Sequence, residues 1–181
     1  MQKINCMYIN QKIQSAIREV PDFPTPGVNF KDITPIFENP SLCQDIVSAF
    51  ISSIPQKPDA VIGIESRGFL FGFLLAYQLQ VPFLLARKAG KLPYKTVKKE
   101  YALEYGNAAI EINEGSIKEG QKILIHDDLL ATGGTASATA ELVKHHNADV
   151  LAFTFLIELS FLKGKEKLLP YTPDIICLTR Y

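Results

Sequence analysis

Two adjacent carboxylates, Asp127 and Asp128, stand just before the run Ala131-Thr132-Gly133-Gly134-Thr135. The glycines let the backbone turn tightly, so that successive N–H groups can face an anion such as a phosphate. The hydroxyls of Thr132 and Thr135 add donors. Carboxylates beside an anion are unfavourable unless something needs them, such as a ribose diol or a metal ion. The alternative is an ordinary turn capped by Thr135, with a solvated acid pair.

The residues around this run predict a strand, a loop and a helix. Residues 123–125 are apolar and β-prone, which predicts a buried strand that ends at the acid pair. Residues 136–145 are rich in alanine and predict a helix that starts at a hydroxyl residue. The N-terminus of such a helix would add to anion binding.

A second candidate group is the run Glu65-Ser66-Arg67-Gly68, which follows a predicted buried strand at residues 60–64. Open α/β sheets bind ligands at this end of their strands. The nearly all-apolar residues 69–79 predict a buried helix directly afterwards. Between two buried elements, Arg67 is suited to grip an anion with both arms of its guanidinium group.

Three cations, Arg87, Lys88 and Lys91, follow a third predicted strand at residues 81–86. They could form a solvated face, or they could serve a polyanion at the same edge of the sheet.

Two loops supply further candidates. The proline-rich residues 20–35 are either a rigid connector or a preorganised hood, with Phe30 as an aromatic platform for a flat ligand. Residues 94–106 show no clean period and predict a mobile loop or a loosely held two-strand flap. Residues 108–112 predict a returning strand with one wet face.

Strands and helices alternate along the chain. Residues 8–18 predict an amphipathic helix, and a capping box at Ser41 and Gln44 predicts the start of another. Strands are expected at residues 149–157 and 174–179. This alternation predicts an α/β fold with a largely parallel sheet.

The composition is that of one globular domain: 181 residues, 47% hydrophobic and 21% charged. The formal net charge is zero, so nucleic acid is not expected as a partner. Three scattered cysteines without metal-ligand spacing fit a reducing cytoplasm. Residues 68–77 are too short to span a bilayer, and the N-terminus lacks a signal-peptide pattern, so we expect a cytoplasmic protein without a membrane partner.

Four motifs together resemble those of the type I phosphoribosyltransferases, in particular the adenine-specific branch of that family. In chain order they are Pro-Asp-Phe-Pro-Thr-Pro-Gly at 21–27, Glu-Ser-Arg-Gly-Phe at 65–69, Arg-Lys-Ala-Gly-Lys-Leu-Pro at 87–93, and Asp-Asp-Leu-Leu-Ala-Thr-Gly-Gly-Thr at 127–135. A fifth, Leu-Glu-Tyr-Gly at 103–106, matches the catalytic flap of the family. The resemblance extends from Pro21 to about Lys167.

The resemblance implies the type I phosphoribosyltransferase fold, a largely parallel central sheet flanked by helices, with an N-terminal hood and a mobile flap. It implies one domain over residues 1–181, with the hood at about 1–35, the core at about 36–181 and the flap at about 94–107. It also implies a pentosyltransferase of purine salvage that converts adenine and phosphoribosyl pyrophosphate to AMP and pyrophosphate. In the family one cation can come from the neighbouring subunit, so we expect a homodimer.

The same resemblance assigns catalytic roles to Glu104, Asp127, Asp128 and Arg67. The acid pair should bind the ribose hydroxyls and support the developing positive charge, while Glu104 should share a proton with the purine. Mg²⁺ should neutralise the leaving group, held mainly by pyrophosphate and the ribose hydroxyls, with no protein ligand assigned. Arg67 should join Arg87, Lys88 and Lys91 in holding pyrophosphate.

The remaining assignments concern the base and the phosphate. Phe30 and Leu129 should sandwich the adenine ring, and residues 131–135 should hold the 5′-phosphate. The full set expected to bind substrate is Asn29, Phe30, Lys31, Ser66, Arg87, Lys88, Lys91, Tyr105, Leu129, Ala131, Thr132, Gly133, Gly134 and Thr135.

Two alternatives stay open. The chain could be a phosphoribosyltransferase for another purine base, or a regulator that senses phosphoribosyl pyrophosphate on the same fold. The sequence also departs from the family pattern at Lys31, Tyr94 and His126. His126 is expected to be a satisfied histidine at a strand end, without a role in the reaction.

Overall fold

The structure, a computed structural model, describes residues 6–102 and 107–181. The helices are α1 Cys6–Ala16, α2 Thr34–Phe37, α3 Pro40–Ser53, α4 Gly68–Leu79, α5 Gly134–His145 and α6 Gly164–Leu168. The strands are β1 Arg18–Val20, β2 Phe30–Asp32, β3 Ala60–Ile64, β4 Phe83–Lys88, β5 Thr96–Ala102, β6 Asn107–Asn113, β7 Lys122–Leu130, β8 Asp149–Glu158 and β9 Ile175–Arg180. A short 3-10 turn at Ser160–Leu162 precedes α6.

Seven of the strands form one sheet in the order β5-β6-β4-β3-β7-β8-β9. Strands β4, β3, β7, β8 and β9 are parallel to one another. Strand β6 pairs antiparallel with both of its neighbours, β4 and β5. The prediction of an α/β fold with a largely parallel sheet is therefore confirmed. Because β4, β3 and β7 are parallel neighbours, the polar motifs at their carboxyl ends meet at one edge of the sheet.

Helices cover both faces of this sheet. Successive side chains of a strand point to opposite faces, and on β3 Val61 and Ile62 belong to different hydrophobic clusters. Helix α5 packs on the face that holds Ile62. Helices α1, α3 and α4 pack on the face that holds Val61. Burial on both sides explains why β3 is a continuous apolar run without alternation.

Helix α3 begins one residue after Asn39, whose side-chain oxygen accepts a hydrogen bond from the backbone N–H of Leu42 at 3.1 Å. The predicted capping box at Ser41 is therefore wrong. Pro40 occupies the first helical position, where its missing N–H costs nothing, and the cap lies directly before it.

Helix α4 is apolar, but only one side of it is buried. Phe71 and Leu75 pack into the core, whereas Phe73 and Tyr77 are 55% and 66% exposed. The prediction of a fully buried helix is wrong for this outer face, because the sheet lies on one side of the helix only. Among the described residues, no helix combines the length and the apolarity needed to cross a bilayer.

The proline-rich segment forms a small hairpin in which β1 and β2 pair antiparallel, with Val20 opposite Phe30. The ring of Phe23 contacts that of Phe30 edge to face, with centroids 5.1 Å apart. The sequence predicted a stiffened loop here and gave no sign of strands. Each strand has only three residues, two of them charged, so the sequence pattern is too short to predict the pairing.

Strands β5 and β6 form an antiparallel hairpin at the sheet edge, with Lys98 opposite Glu111. Of the two interpretations of residues 94–106, the two-strand form is confirmed for β5. Glu104 and Tyr105 lie outside the described residues. The predicted wet face of β6 is not found at Glu111, which is buried.

Candidate active site

The acid pair lies inside β7 and not after it. Strand β7 pairs with β3 as far as His126, but with β8 as far as Leu130. The predicted strand end is therefore correct on the β3 side only, because the longer β8 extends the ladder on the other side. Asp127 and Asp128 thus lie on a rigid strand beside the loop that follows β3.

Asp128 is buried, and Asp127 is partly buried. Asp128 is 5% exposed, and its backbone N–H donates to Oδ1 of Asp127 at 2.9 Å. Burial raises the pKa of Asp127 well above its ordinary value, and the charge of Asp128 raises that pKa further. Burial also raises the pKa of Asp128, although the nearby charge of Arg67 opposes the rise.

Arg67 connects the acid pair with the hairpin of the hood. Its Nε lies 2.9 Å from Oδ2 of Asp128, an ion pair. Its guanidinium carbon lies 5.1 Å from the centroid of the Phe30 ring, within the range of a cation–π contact. Three residues predicted separately from three motifs are therefore neighbours in space.

The strand before the basic segment was predicted at residues 81–86 but spans Phe83–Lys88, so Arg87 and Lys88 are the last residues of β4 and do not follow it. The guanidinium of Arg87 donates to both carboxylate oxygens of Glu65, at 3.1 and 3.3 Å, and the backbone N–H of Lys88 donates to the same group at 2.9 Å. Burial alone would raise the pKa of Glu65, but these hydrogen bonds outweigh it and leave the pKa below its ordinary value. Arg87 is thereby oriented within its own chain, while Lys88, Lys91 and Ser66 are exposed.

Glu111 is a second anchor of the basic segment, and the sequence analysis missed it. Its carboxylate accepts hydrogen bonds from the backbone N–H groups of Lys91 and Leu92 and from the hydroxyl of Thr96, each at 3.1 Å. These bonds lower the pKa of Glu111 although burial works in the opposite direction. A glutamate within the apolar residues 108–112 was the available signal.

The glycine-rich run lines a cavity of about 80 Å³. The residues that surround it are Asp127, Leu129, Leu130, Ala131, Thr132, Gly133, Gly134, Thr135, Ala136 and Phe155. Helix α5 begins at Gly134, after Gly133 in the left-handed region at φ 75°, and no side chain caps it. The alternative of a turn capped by Thr135 is therefore wrong, and the first N–H groups of α5 lie beside the cavity.

Gly164, at the start of α6, supports this loop from outside and was also missed. A Cβ atom on Gly164 would lie 2.2 Å from the backbone oxygen of Ala131, and one on Gly133 would lie 2.6 Å from the oxygen of Gly164. Each glycine is therefore required by the close approach of the other segment. In the sequence, Gly164 stands among the charged residues Lys163, Lys165 and Glu166, a pattern that is typical of a surface stretch and gives no sign of the contact.

In the hood, Asn29 and Lys31 direct their side chains to one carboxylate. The amide of Asn29 donates to Glu19 at 2.9 Å, and the ammonium of Lys31 pairs with the same group. Lys31 follows Phe30 on β2, so its side chain lies on the opposite face of the hairpin from the ring.

His126, which precedes the acid pair, is fully buried between the rings of Phe50 and Phe71. Its Nδ1 lies 3.0 Å from the hydroxyl oxygen of Thr154, but Nε2 finds no hydrogen-bond partner within the described ranges. The predicted satisfied histidine is thus satisfied at one nitrogen only. Burial lowers its pKa to about 3, so the ring is neutral at physiological pH.

Comparison with known proteins gives one consistent family. The model of the phosphoribosyl transferase domain matches residues 32–180. The adenine phosphoribosyltransferase of Cytophaga hutchinsonii is 49% identical over 174 residues, covering 96% of each chain.

Solved structures agree with this similarity. The adenine phosphoribosyltransferase of Thermoanaerobacter pseudethanolicus superposes with a TM-score of 0.90 at 45% identity, covering 94% of this chain and 99% of its own. The Saccharomyces cerevisiae enzyme, complexed with an imino-altritol bisphosphate and adenine, gives a TM-score of 0.89 at 41% identity and covers 95% of this chain and 99% of its own.

Proposed function

The chain belongs to the phosphoribosyltransferase family, in its adenine phosphoribosyltransferase branch, and on that premise we propose how its residues convert adenine and phosphoribosyl pyrophosphate to AMP and pyrophosphate in purine salvage. The observation that carries the proposal is the position of Asp127 and Asp128. They lie between a glycine-lined anion cavity on one side and Arg67 with the Phe30 ring on the other.

The cavity formed by residues 131–135 is the site for the 5′-phosphate. The left-handed Gly133 turns the backbone, and the helix N-terminus behind it carries a partial positive charge. The hydroxyls of Thr132 and Thr135 add hydrogen bonds that a peptide backbone alone would not supply.

The acid pair serves the ribose. When pyrophosphate leaves, positive charge develops on the sugar. A carboxylate held next to that charge stabilises the transition state more strongly in a poorly hydrated site than in water. Asp127 and Asp128 also offer acceptors for the two ribose hydroxyls. Their place on a rigid strand means that little reorganisation accompanies the reaction.

The leaving group is held by cations at or beyond the carboxyl ends of β3 and β4: Arg67, Arg87, Lys88 and Lys91. Arg67 would exchange its ion pair with Asp128 for contact with pyrophosphate, and Ser66 adds a hydroxyl beside it. The exposed ammonium groups of Lys88 and Lys91 lie on a segment that Glu65 and Glu111 hold in place.

Mg²⁺ fits this proposal as an ion that arrives with the substrate. Across the described part of the chain, no group of three or more histidine, cysteine, aspartate or glutamate side chains is arranged to hold a metal ion. The hard oxygen donors that Mg²⁺ prefers would come from pyrophosphate and the ribose hydroxyls, close to Asp127 and Asp128. The ion would supply neutralisation of charge on the leaving group.

Adenine is placed against Phe30, with Leu129 on its other face. Because the side chains of Asn29 and Lys31 are engaged by Glu19, we infer that their main-chain carbonyl and N–H groups read the base edge. Glu104 and Tyr105, which the family resemblance assigns to the flap, complete the site, with Glu104 sharing a proton with the purine.

A homodimer is the proposed assembly. Its support is the outer face of α4, where Leu70, Phe73, Leu74 and Tyr77 expose a contiguous helical stripe of apolar side chains. A cation of the segment after β4 would then be available to the neighbouring subunit. Within the part of the chain that the structure describes, the thiols of Cys43 and Cys177 form no disulfide, which supports a cytoplasmic location.

A base-competition assay tests the function. The chain is incubated with phosphoribosyl pyrophosphate, Mg²⁺ and adenine, hypoxanthine, guanine or xanthine, and formation of the nucleotide is followed. Adenine should be used at least about a hundredfold more efficiently than the others, because each mismatched buried polar group costs about 1–3 kcal/mol. Equal use of hypoxanthine would identify another purine enzyme, and no turnover with any base would support the regulator.

A further inference from the structure

Thr135 shares a hydrogen bond with a residue that has no assigned role. Its hydroxyl donates to the hydroxyl of Tyr101 at 3.1 Å, although the two residues are 34 positions apart in the chain. Thr135 lies in the first turn of α5 and lines the anion cavity. Tyr101 lies on β5, so the contact joins the edge hairpin to the cavity wall.

The position of Tyr101 does not depend on this hydrogen bond alone. Its ring packs against the hydrophobic cluster that includes Leu142 of α5. On the same side of β5, Lys99 forms an ion pair with Glu141, which also belongs to α5. The strand is thus attached to the helix at two points, and the tyrosine hydroxyl is presented to Thr135 by the packing of its ring.

The chemistry of the two hydroxyls allows the hydrogen bond to reverse. A threonine hydroxyl has one proton to donate, but its oxygen also accepts. A phosphate in the cavity offers acceptors, so Thr135 would turn its proton toward the phosphate. Tyr101 carries a proton of its own and can then donate to the oxygen of Thr135, with no movement of heavy atoms.

We propose that Tyr101 is a positioning residue for the 5′-phosphate, acting through Thr135. It holds the Thr135 oxygen in place before binding and supplies the return hydrogen bond once Thr135 donates to the phosphate. A chain of two hydrogen bonds is more polarised than one, so the donor that faces the phosphate becomes stronger. This inference rests on the proposed function, which assigns the phosphate to this cavity.

The chain offers a matched control on the same helix. Ser137 and Tyr171 form a hydroxyl–hydroxyl bond of the same length, 3.1 Å, farther from the glycine-rich loop. The Tyr171 hydroxyl also donates to Glu141 of α5 at 3.5 Å, so its removal is at least as large a loss to the helix as removal of the Tyr101 hydroxyl. Tyr101→Phe and Tyr171→Phe each remove one phenolic oxygen and keep the ring. Comparison of the two variants therefore separates the effect on the cavity from the loss of a hydrogen bond to α5.

The experiment measures the KM of each substrate and the dissociation constant of ribose 5-phosphate by calorimetry. Tyr101→Phe should weaken both phosphoribosyl pyrophosphate and ribose 5-phosphate by about fivefold, the worth of one hydrogen bond, and leave the KM of adenine unchanged. Tyr171→Phe should change none of these. Thr135→Val should weaken ribose 5-phosphate at least as much, and adding Tyr101→Phe to it should cause no further loss.

Two results would overturn the inference: equal effects of the two tyrosine variants, or additive losses in the double variant. If Thr135→Val itself left ribose 5-phosphate binding intact, the phosphate assignment of the proposed function would fail instead. Should Tyr101→Phe not fold, the ultraviolet difference spectrum of the wild-type chain on adding ribose 5-phosphate gives the answer. A tyrosine that changes from acceptor to donor shifts its absorbance to longer wavelength. The wild-type chain should show this shift and Thr135→Val should not. If the wild type shows no shift, or if Thr135→Val shows the same shift, the reversal is contradicted.

Discussion

The arrangement of Asp127 and Asp128 lowers the stability of the folded chain. Two carboxylates that share a poorly hydrated position repel each other, and the single ion pair with Arg67 compensates for only part of this. Sites of this kind are expected where a reaction needs negative charge at a defined point. Function and stability should therefore respond to a substitution in opposite directions.

Asp127→Asn should raise the thermal unfolding midpoint at pH 7.5 and lower kcat by about a hundredfold or more. The pKa of Asp127 is raised in the folded chain. At a pH above the ordinary pKa of aspartate, the folded chain therefore binds more protons than the unfolded chain, and the free energy of unfolding decreases as the pH rises through the folded pKa. At pH 7.5 that loss is present in the wild type and absent in the variant. Calorimetry and a steady-state assay provide the two measurements.

Asp149→Asn is the matched control, because a hydrogen bond from Lys144 lowers the pKa of this exposed carboxylate. Its removal should leave kcat unchanged and should not raise the unfolding midpoint. A lower midpoint for Asp127→Asn than for the wild type would contradict the account of the acid pair.

His126 should make the wild type sensitive to acid. Its pKa falls to about 3 on folding, so the unfolded chain binds more protons below pH 6.5 and the free energy of unfolding decreases as the pH is lowered toward 3. The contribution approaches about 1.4 kcal/mol per pH unit. His126→Leu removes it, and urea unfolding at pH 7.5, 6 and 5 should show a shallower decline in the variant. Parallel profiles would mean that the histidine is not buried as described.

At the scale of elements, α6 supports the glycine-rich run at residues 131–135, the site we propose for the 5′-phosphate. Strand β8 continues past the acid pair as far as Glu158, and the chain then turns back so that Gly164 lies against Ala131 and Gly133. The loop therefore has backbone on its outer side and the cavity on its inner side. Such support makes the N–H groups of the loop rigid, which reduces the ordering cost of binding a phosphate.

Gly164→Ala should therefore damage phosphate binding from outside the cavity. The added methyl group would lie 2.2 Å from the oxygen of Ala131, so either the loop or α6 must shift. We expect the KM of phosphoribosyl pyrophosphate to rise by roughly tenfold and the unfolding free energy to fall by about 1–3 kcal/mol. Leu169→Ala, which truncates an exposed side chain directly after the same helix, should change neither. An unchanged KM for Gly164→Ala would show that the loop tolerates the displacement.

At the scale of the whole molecule, the apolar stripe on α4 is the surface that the proposed homodimer would cover. One side of the helix packs on β3 and β7 through residues such as Phe71, while the opposite side presents aromatic rings to solvent. Apolar patches of this kind on a folded domain mark interaction surfaces. The stripe belongs to the same helix whose first turn follows Arg67, so an interface there would lie close to the site.

The pair of substitutions Phe73→Glu and Tyr77→Glu should yield a monomer. Each would place a carboxylate in an apolar interface, where a desolvated and unpaired charge is strongly unfavourable. Light scattering after size-exclusion chromatography should give the mass of two chains for the wild type and of one for the variant. Phe161→Glu, which changes a Phe that is 71% exposed elsewhere, should remain dimeric. A wild type with the mass of one chain would refute the proposed assembly.

The sequence by itself determined the features that depend on local chemistry. The apolar residues 60–64 were predicted as a strand with the bounds that β3 has, because a strand buried on both faces must be apolar throughout. The acid pair and the glycine-rich run were predicted as an anion site from their residue types, with a capped turn and a solvated acid pair as the open alternative. The family resemblance then assigned roles to residues that physical reasoning alone left open.

Only the tertiary structure decided which of these residues meet. The extension of β7 through Asp128 depends on β8, the placement of Arg67 between Asp128 and Phe30 depends on the hood, and the contact of Gly164 with Gly133 depends on the path of the chain after β8. Periodicity and turn chemistry report the preferences of neighbours in the chain. The contacts of Glu111 and Tyr101 join segments far apart in the chain, and their free energy is realised only when the sheet has set the elements side by side.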